Sequence, residues 1–94
     1  MPNLADVFIP VSEAISRESD DELIVVLPGR GKYMVLNGTG LRVFRLLDGN
    51  RSLEDIAAAL SEQYAVPLER VQQDVLAFAG KLVDRQAVQL VRSK

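Results

Sequence analysis

Glu22–Leu27 (ELIVVL), Pro28–Gly31 (PGRG) and Lys32–Leu36 (KYMVL) decide the fold. Ile24, Val25 and Val26 are three β-branched residues in a row, which suit a pleated strand better than a helix. Both faces of that run are apolar, so the strand is expected to be covered at least partly on both sides. Pro28 presets φ and glycine accepts positive φ, so PGRG reads as a turn. Two strands around a short Gly-rich link make a hairpin. Upstream, Val7, Ile9 and Val11 alternate with Phe8, Pro10 and Ser12, a strand pattern that contains a proline. Proline cannot donate to a ladder, so this strand belongs at an edge or is interrupted. Arg17–Asp21 is polar and suits a turn.

Downstream the pattern changes to helix. Asn37 is placed to cap a helix carrying Leu41, Phe44 and Leu47, spaced three apart on one face. Asp48-Gly49-Asn50 ends it, with Gly49 as the left-handed terminator. Ser52 and Asp55 form a variant capping box for a second helix, whose buried stripe is Leu53, Ile56, Ala57 and Leu60. Pro67 opens a third helix to about Arg85, with a stripe of Val71, Val75, Phe78 and Leu82. Ala87–Val91 has the pattern of a short last strand, followed by the polar tail Arg92–Lys94. The expected fold class is α+β: a three-stranded antiparallel β-meander followed by three α-helices, winged helix-turn-helix-like. A single domain over 1–94, with its core at about 7–91, accommodates all of it.

The 94 residues are 48% hydrophobic and 26% charged, the profile of one small folded domain. No Cys or His is present. Disulfides, thiolate catalysis, Ser/His pairs and the usual zinc sites are therefore excluded. A net charge of −2 argues against a nucleic-acid footprint. Met1–Pro10 lacks the basic start of an export signal, and the longest apolar run, Leu23–Leu27, is far short of a membrane span. The expectation is a cytoplasmic protein with no membrane association.

Gly29-Arg30-Gly31-Lys32 does not make a phosphate loop, which needs Lys-Ser/Thr opening a helix, since Lys32 opens a strand. Gly38-Thr39-Gly40 lacks the third glycine of a dinucleotide fingerprint. The carboxylates fall on solvated helix faces and turns, without calcium-loop spacing or a second lobe to form a cleft. No catalytic residue, metal ligand or cofactor is expected. As a groove-reading helix the third helix is poorly equipped, because its outward acids and bases nearly cancel.

The strand Lys32–Leu36 is the more informative feature. If it ends the meander, its outer edge offers unpaired N–H and C=O groups that invite another extended chain. Tyr33, Met34 and Val35 would place an apolar surface beside that edge. The third helix has a wide apolar arc, with Leu76 and Val83 on one flank and Val71 and Phe78 on the other. Two readings of the arc stand open: it lines a peptide groove beside the strand, or it completes the core.

Tyr33–Asn37 (YMVLN), then Gly40, Phe44, Asp48-Gly49, Ser52 with Ile56, Leu60, Tyr64, Val71, Asp74-Val75, Phe78 and Leu82 resemble the PqqD-like family. Its members are the peptide-recognition elements of ribosomally synthesised natural-product pathways. The hairpin Val26–Tyr33 is similar to stand-alone leader-recognition proteins of lasso-peptide biosynthesis. The resemblance implies non-catalytic binding of the leader segment of a precursor peptide. The leader would add antiparallel to strand 32–36 and lie against helix 67–85. Tyr33, Met34, Val35 and Leu36 match the pairing strand; Val71, Asp74, Val75 and Phe78 match the groove side of the helix. Asp74 either orients the peptide or is a solvated acid. The implied partner is a cysteine-type leader peptidase or another modifying enzyme. A pyrroloquinoline quinone peptide chaperone and an acidic winged-helix DNA-binding regulator are the alternatives. Ala79 departs from the larger aliphatic residue frequent in the family, and Gln86-Ala87 from its Lys/Arg-Gly.

Overall fold

Among the described residues, 2–93 of the computed structural model, the elements are β1 (Asp6–Pro10), β2 (Ile15–Ser19), β3 (Glu22–Leu27), β4 (Lys32–Asn37), α1 (Gly38–Leu46), α2 (Leu53–Tyr64), α3 (Leu68–Asp84) and β5 (Val88–Ser93). Met1 and Lys94, the ends of the expected domain, lie outside the described residues. The hairpin link is a single 3-10 turn, Pro28–Arg30, closed by Gly31 at φ 62°. A left-handed φ at that position is what glycine allows at little cost.

The strands form two sheets, β1-β5 and β2-β3-β4, both antiparallel. This corrects the single three-stranded meander expected from Val7 onward. The meander exists, but its first strand is Ile15–Ser19, most of which read as turn. Every residue of β2 is exposed, so it carries no apolar alternation. It is held by its ladder to β3, from Ile15↔Val26 to Ser19↔Glu22. The turn itself shrinks to Asp20-Asp21, with Asp20 at φ 49°, which a short polar side chain tolerates. β1 instead pairs with β5, from Asp6↔Ser93 to Pro10↔Val88. Pro10 is the last residue of a two-stranded ribbon, where a missing N–H is harmless. Arg92 and Ser93, expected as tail, complete β5. The buried Asp6 carboxylate accepts the Asn3 N–H at 2.9 Å and the Ser93 hydroxyl at 2.6 Å, so its burial is compensated.

The helices cover one face of the three-stranded sheet. Leu23, Val25 and Leu27 of β3 and Met34 and Leu36 of β4 point into the core. On the other face Ile24 is half-buried and Val26 is 37% exposed, so that side is covered only in part. The core is closed by Leu41, Val43, Phe44 and Leu47, by Leu53, Ile56 and Leu60 of α2, and by Val71, Val75, Ala79 and Leu82 of α3. Ala79 thus occupies the buried stripe where Phe78 was expected, and Phe78 moves to the flank.

Asn37 sits at the N-cap of α1 but its side chain makes no capping bond. Leu47 is the C-cap, and Gly49 takes its positive φ of 81° two residues later. The Asp48 carboxylate accepts the Asn50 N–H at 2.9 Å and the Arg51 N–H at 3.1 Å, and meets the Arg51 guanidinium at 2.9 Å. The Asn50 N–H, opposed by slight desolvation and aided by Arg51, holds this carboxyl below its ordinary value. Its contribution is therefore present above the usual aspartate range and lost as pH falls through the lowered one.

The α2 capping box is complete: Asp55 N–H donates to Ser52 Oγ at 3.1 Å and Ser52 N–H to Asp55 Oδ2 at 3.0 Å. Ser52→Ala is expected to lower the free energy of unfolding by about 1 kcal/mol. Urea unfolding measures this directly, and an unchanged midpoint at equal slope would leave the box with no stabilising role.

Candidate functional site

β4 pairs with β3 alone, so among the described residues its outer edge carries no strand. In an antiparallel ladder alternate residues of an edge strand direct both N–H and C=O outward. The chain passes from β4 straight into α1, and α1 packs against both β4 and α3. α1 thereby sets α3 beside the open edge at a distance. The space between is a hollow of about 360 Å³, lined by Tyr33–Asn37 on one side, Phe78, Lys81 and Arg85 on the other, and Gly40 at the α1 end.

Gly40 fits this arrangement for a steric reason. A Cβ at Gly40 would lie 2.9 Å from Cε1 of Phe78, closer than carbon atoms approach. The bare backbone of α1 lets the Phe78 ring lie against it and keeps the hollow open.

The structure divides the eight expected positions. Met34 and Leu36 bury their side chains on the core face of β4. Tyr33 and Val35 alternate with them, 67% and 48% exposed, on the outer face of the sheet. Phe78 lies half-buried in the α3 wall. Val75 does not reach the hollow: it is 0% exposed, sealed into the core by its place at the centre of the buried stripe. Val71 and Asp74 line a second hollow of about 410 Å³ with Thr39, Arg42, Tyr64 and Arg70. There the Arg42 guanidinium sits 4.3 Å from the Tyr64 ring centroid, a cation–π contact. Asp74 itself is exposed.

Sequence reasoning missed Gly40, Lys81 and Arg85 as lining residues. A signal was present: Asp74, Phe78, Lys81 and Arg85 stand at i, i+4, i+7 and i+11, one flank of a helix. Apolar periodicity does not find such a stripe, because only one of its four members is apolar. Among the described residues the ion pairs are Arg45–Glu18 and Arg51–Asp48, so Lys81 and Arg85 face the hollow without a carboxylate partner. No described group of three acidic, His or Cys side chains is placed to hold a metal ion. No described helix is long and apolar enough to cross a membrane.

The same arrangement of sheets and helices occurs in solved structures. The fold superimposes with a TM-score of 0.79 and 25% identity on TbiB1, solved in complex with the TbiA(beta) leader peptide; the match covers 86% of this chain and 94% of that one. A lasso peptide synthetase B1 complexed with the leader peptide matches at a TM-score of 0.79 and 22% identity, over 88% of this chain and 98% of that one. The PqqD truncation of Methylobacterium extorquens PqqCD, a stand-alone RiPP recognition element, matches at 0.80 and 18% identity over 95% of both chains. The last two likenesses, at low identity, concern the fold.

In sequence, residues 22–88 match the family model of coenzyme PQQ synthesis protein D (PqqD). This chain belongs to the PqqD family. It is 33% identical over 57 residues to the PqqA binding protein of Gluconobacter oxydans, covering 61% of this chain and 59% of that protein. It is 28% identical over 71 residues to the PqqA binding protein of Rhizobium meliloti, covering 76% of this chain and 70% of the other. The match thus spans less than two thirds of the Gluconobacter protein.

Proposed function

We propose that this chain is a non-catalytic recognition domain for the leader segment of a ribosomally made precursor peptide. The leader adds as a strand to the outer edge of β4 and lays alternate side chains into the hollow against α3. The domain then presents the adjoining segment to a leader peptidase or another modifying enzyme in natural-product biosynthesis, of the lasso-peptide type. The observation that carries this reading is the unpaired β4 edge beside a side-chain-lined hollow, in a fold shared with a protein solved holding a leader peptide. A PqqA-type precursor is the second reading, favoured by the two PqqA-binding relatives.

The energetics divide the labour. Micromolar to nanomolar affinity corresponds to roughly 8–12 kcal/mol. A few main-chain hydrogen bonds at about 1 kcal/mol each do not reach that. Main-chain pairing sets the register, and side chains seated against Phe78 and its neighbours supply most of the affinity and the choice of peptide.

Amide chemical shifts of the labelled protein test the reading. The TbiA(beta) leader, PqqA and peptides selected from a random twelve-residue display library are the probes. Shifts concentrated on Lys32–Asn37, Gly40 and Phe78–Arg85 are expected. Shifts confined to β1, β5 or α2, or none with any probe, overturn it. The preferred leader decides between lasso-type and PqqA-type precursors. A duplex DNA probe bound tightly at low salt and released at high salt would instead support the regulator.

Gly40→Ala separates groove from fold. Alanine is the better helix former by about 1 kcal/mol, which offsets the cost of moving the ring, so thermal stability is expected to stay near wild type. The added methyl forces the Phe78 ring to shift, and peptide affinity is expected to fall about tenfold, some 1.4 kcal/mol. Unchanged affinity in the stable variant would remove the ring from the binding wall.

A further inference from the structure

We infer that the hollow selects peptides with an acidic side chain two residues C-terminal to an apolar anchor, and that Lys81 and Arg85 are the residues that select it. The inference rests on strand addition at β4 and names the chemistry of the added strand.

The polarity of the α3 flank carries the inference. Along it an exposed acid, Asp74, is followed by the apolar Phe78 and then by two bases, Lys81 and Arg85. Neither base has a carboxylate partner among the described residues. The chain as a whole is acidic, with 13 Asp and Glu against 11 Lys and Arg. Two unpaired cations facing a main-chain edge on an acidic protein favour an incoming carboxylate and reject an incoming base.

Direction and spacing follow from the chain path. The first half of α3 faces α1, where Arg70 and Asp74 share a hollow with Thr39 and Arg42. Phe78 then meets Gly40, and the last turns of α3 line the hollow of β4. α3 therefore runs opposite to the path from β4 into α1. A strand added antiparallel to β4 runs with α3, from the Asn37 end toward the Tyr33 end. Its residues facing Phe78 come first and those facing Lys81 and Arg85 come later. Along α3, Lys81 is about 4.5 Å and Arg85 about 10.5 Å beyond Phe78. Side chains on one face of a strand repeat every two residues, about 6.8 Å. The next inward-facing side chain after the anchor thus falls between the two cations, and the one after it falls past Arg85.

The test is a random twelve-residue display library, selected in parallel against the wild-type chain and against Lys81→Glu/Arg85→Glu. Both positions are exposed, and circular dichroism checks that the variant is folded. Wild-type selections are expected to enrich Asp or Glu two positions after an aromatic or branched aliphatic residue. The best wild-type peptide is expected to bind the variant about tenfold more weakly, and to recover when its acid is changed to Lys. Peptides that shift the β4 amides without acidic enrichment, and bind both proteins equally, overturn this inference and leave strand addition standing. A selection that yields no peptide shifting the β4 amides overturns strand addition and the inference with it.

Discussion

Val35→Pro is expected to reduce peptide affinity by about tenfold or more, the loss of one or two hydrogen bonds and their register. Val35 lies in the middle of β4, opposite Ile24 of β3. Proline removes its N–H. If that N–H faces outward, the incoming strand loses a donor directly; if it faces β3, the ladder bends and the edge loses its line. Both routes damage the same edge. The control is the other edge of the same sheet. Arg17 of β2 also lies opposite Ile24, in a strand exposed along its whole length. Arg17→Pro is expected to cost stability while leaving affinity as it was. Titration of both variants with one selected peptide, each verified as folded, decides the matter. A folded Val35→Pro protein with wild-type affinity would sink strand addition at β4.

Leu82→Ala is expected to be the most destabilising of these substitutions, by about 2–5 kcal/mol. Leu82 is 0% exposed, in the stripe of α3 that packs on the core. Truncation there leaves a cavity that a small domain with few layers cannot collapse. A chain of this size has a total stability on the order of 5–15 kcal/mol, so the loss is a large share. Each kcal/mol corresponds to a fall in Tm of about 4–8 °C. Urea unfolding read by circular dichroism measures it, and a change under about 1 kcal/mol would contradict the packing of α3. Affinity per folded molecule is expected to stay near wild type, because Leu82 does not line the hollow. The pair Leu82→Ala and Gly40→Ala thus separates what holds the domain together from what shapes its groove.

How much could be read beforehand differs from element to element, for physical reasons. The β3–β4 hairpin, the Ser52/Asp55 box and the extents of α2 and α3 were legible within a residue or two. Each depends on neighbours a few positions away. β2 was not legible, because its five residues are all exposed and only its ladder to β3 makes it a strand. Among the site positions, Phe78 was legible as a flank residue, though it was also placed in the core stripe. Val75 was misjudged, because apolar periodicity marks a buried arc without marking its borders. Lys81 and Arg85 were counted only as solvated charges, since nothing local distinguishes a cation facing a cleft from one facing water.

By itself, then, the order of residues determined most of the local elements, the absence of thiol and imidazole side chains, and the presence of a strand suited to pair outward. These follow from short-range torsional preference, capping and side-chain chemistry, which need no partner from afar. Only the tertiary structure decided that β1 is taken by β5 from the other end of the chain, so that β4 is left open, and which flank of α3 is turned toward it. Those outcomes rest on contacts between distant segments, and no local period records which of several compatible pairings leaves the fewest apolar side chains and main-chain groups unsatisfied.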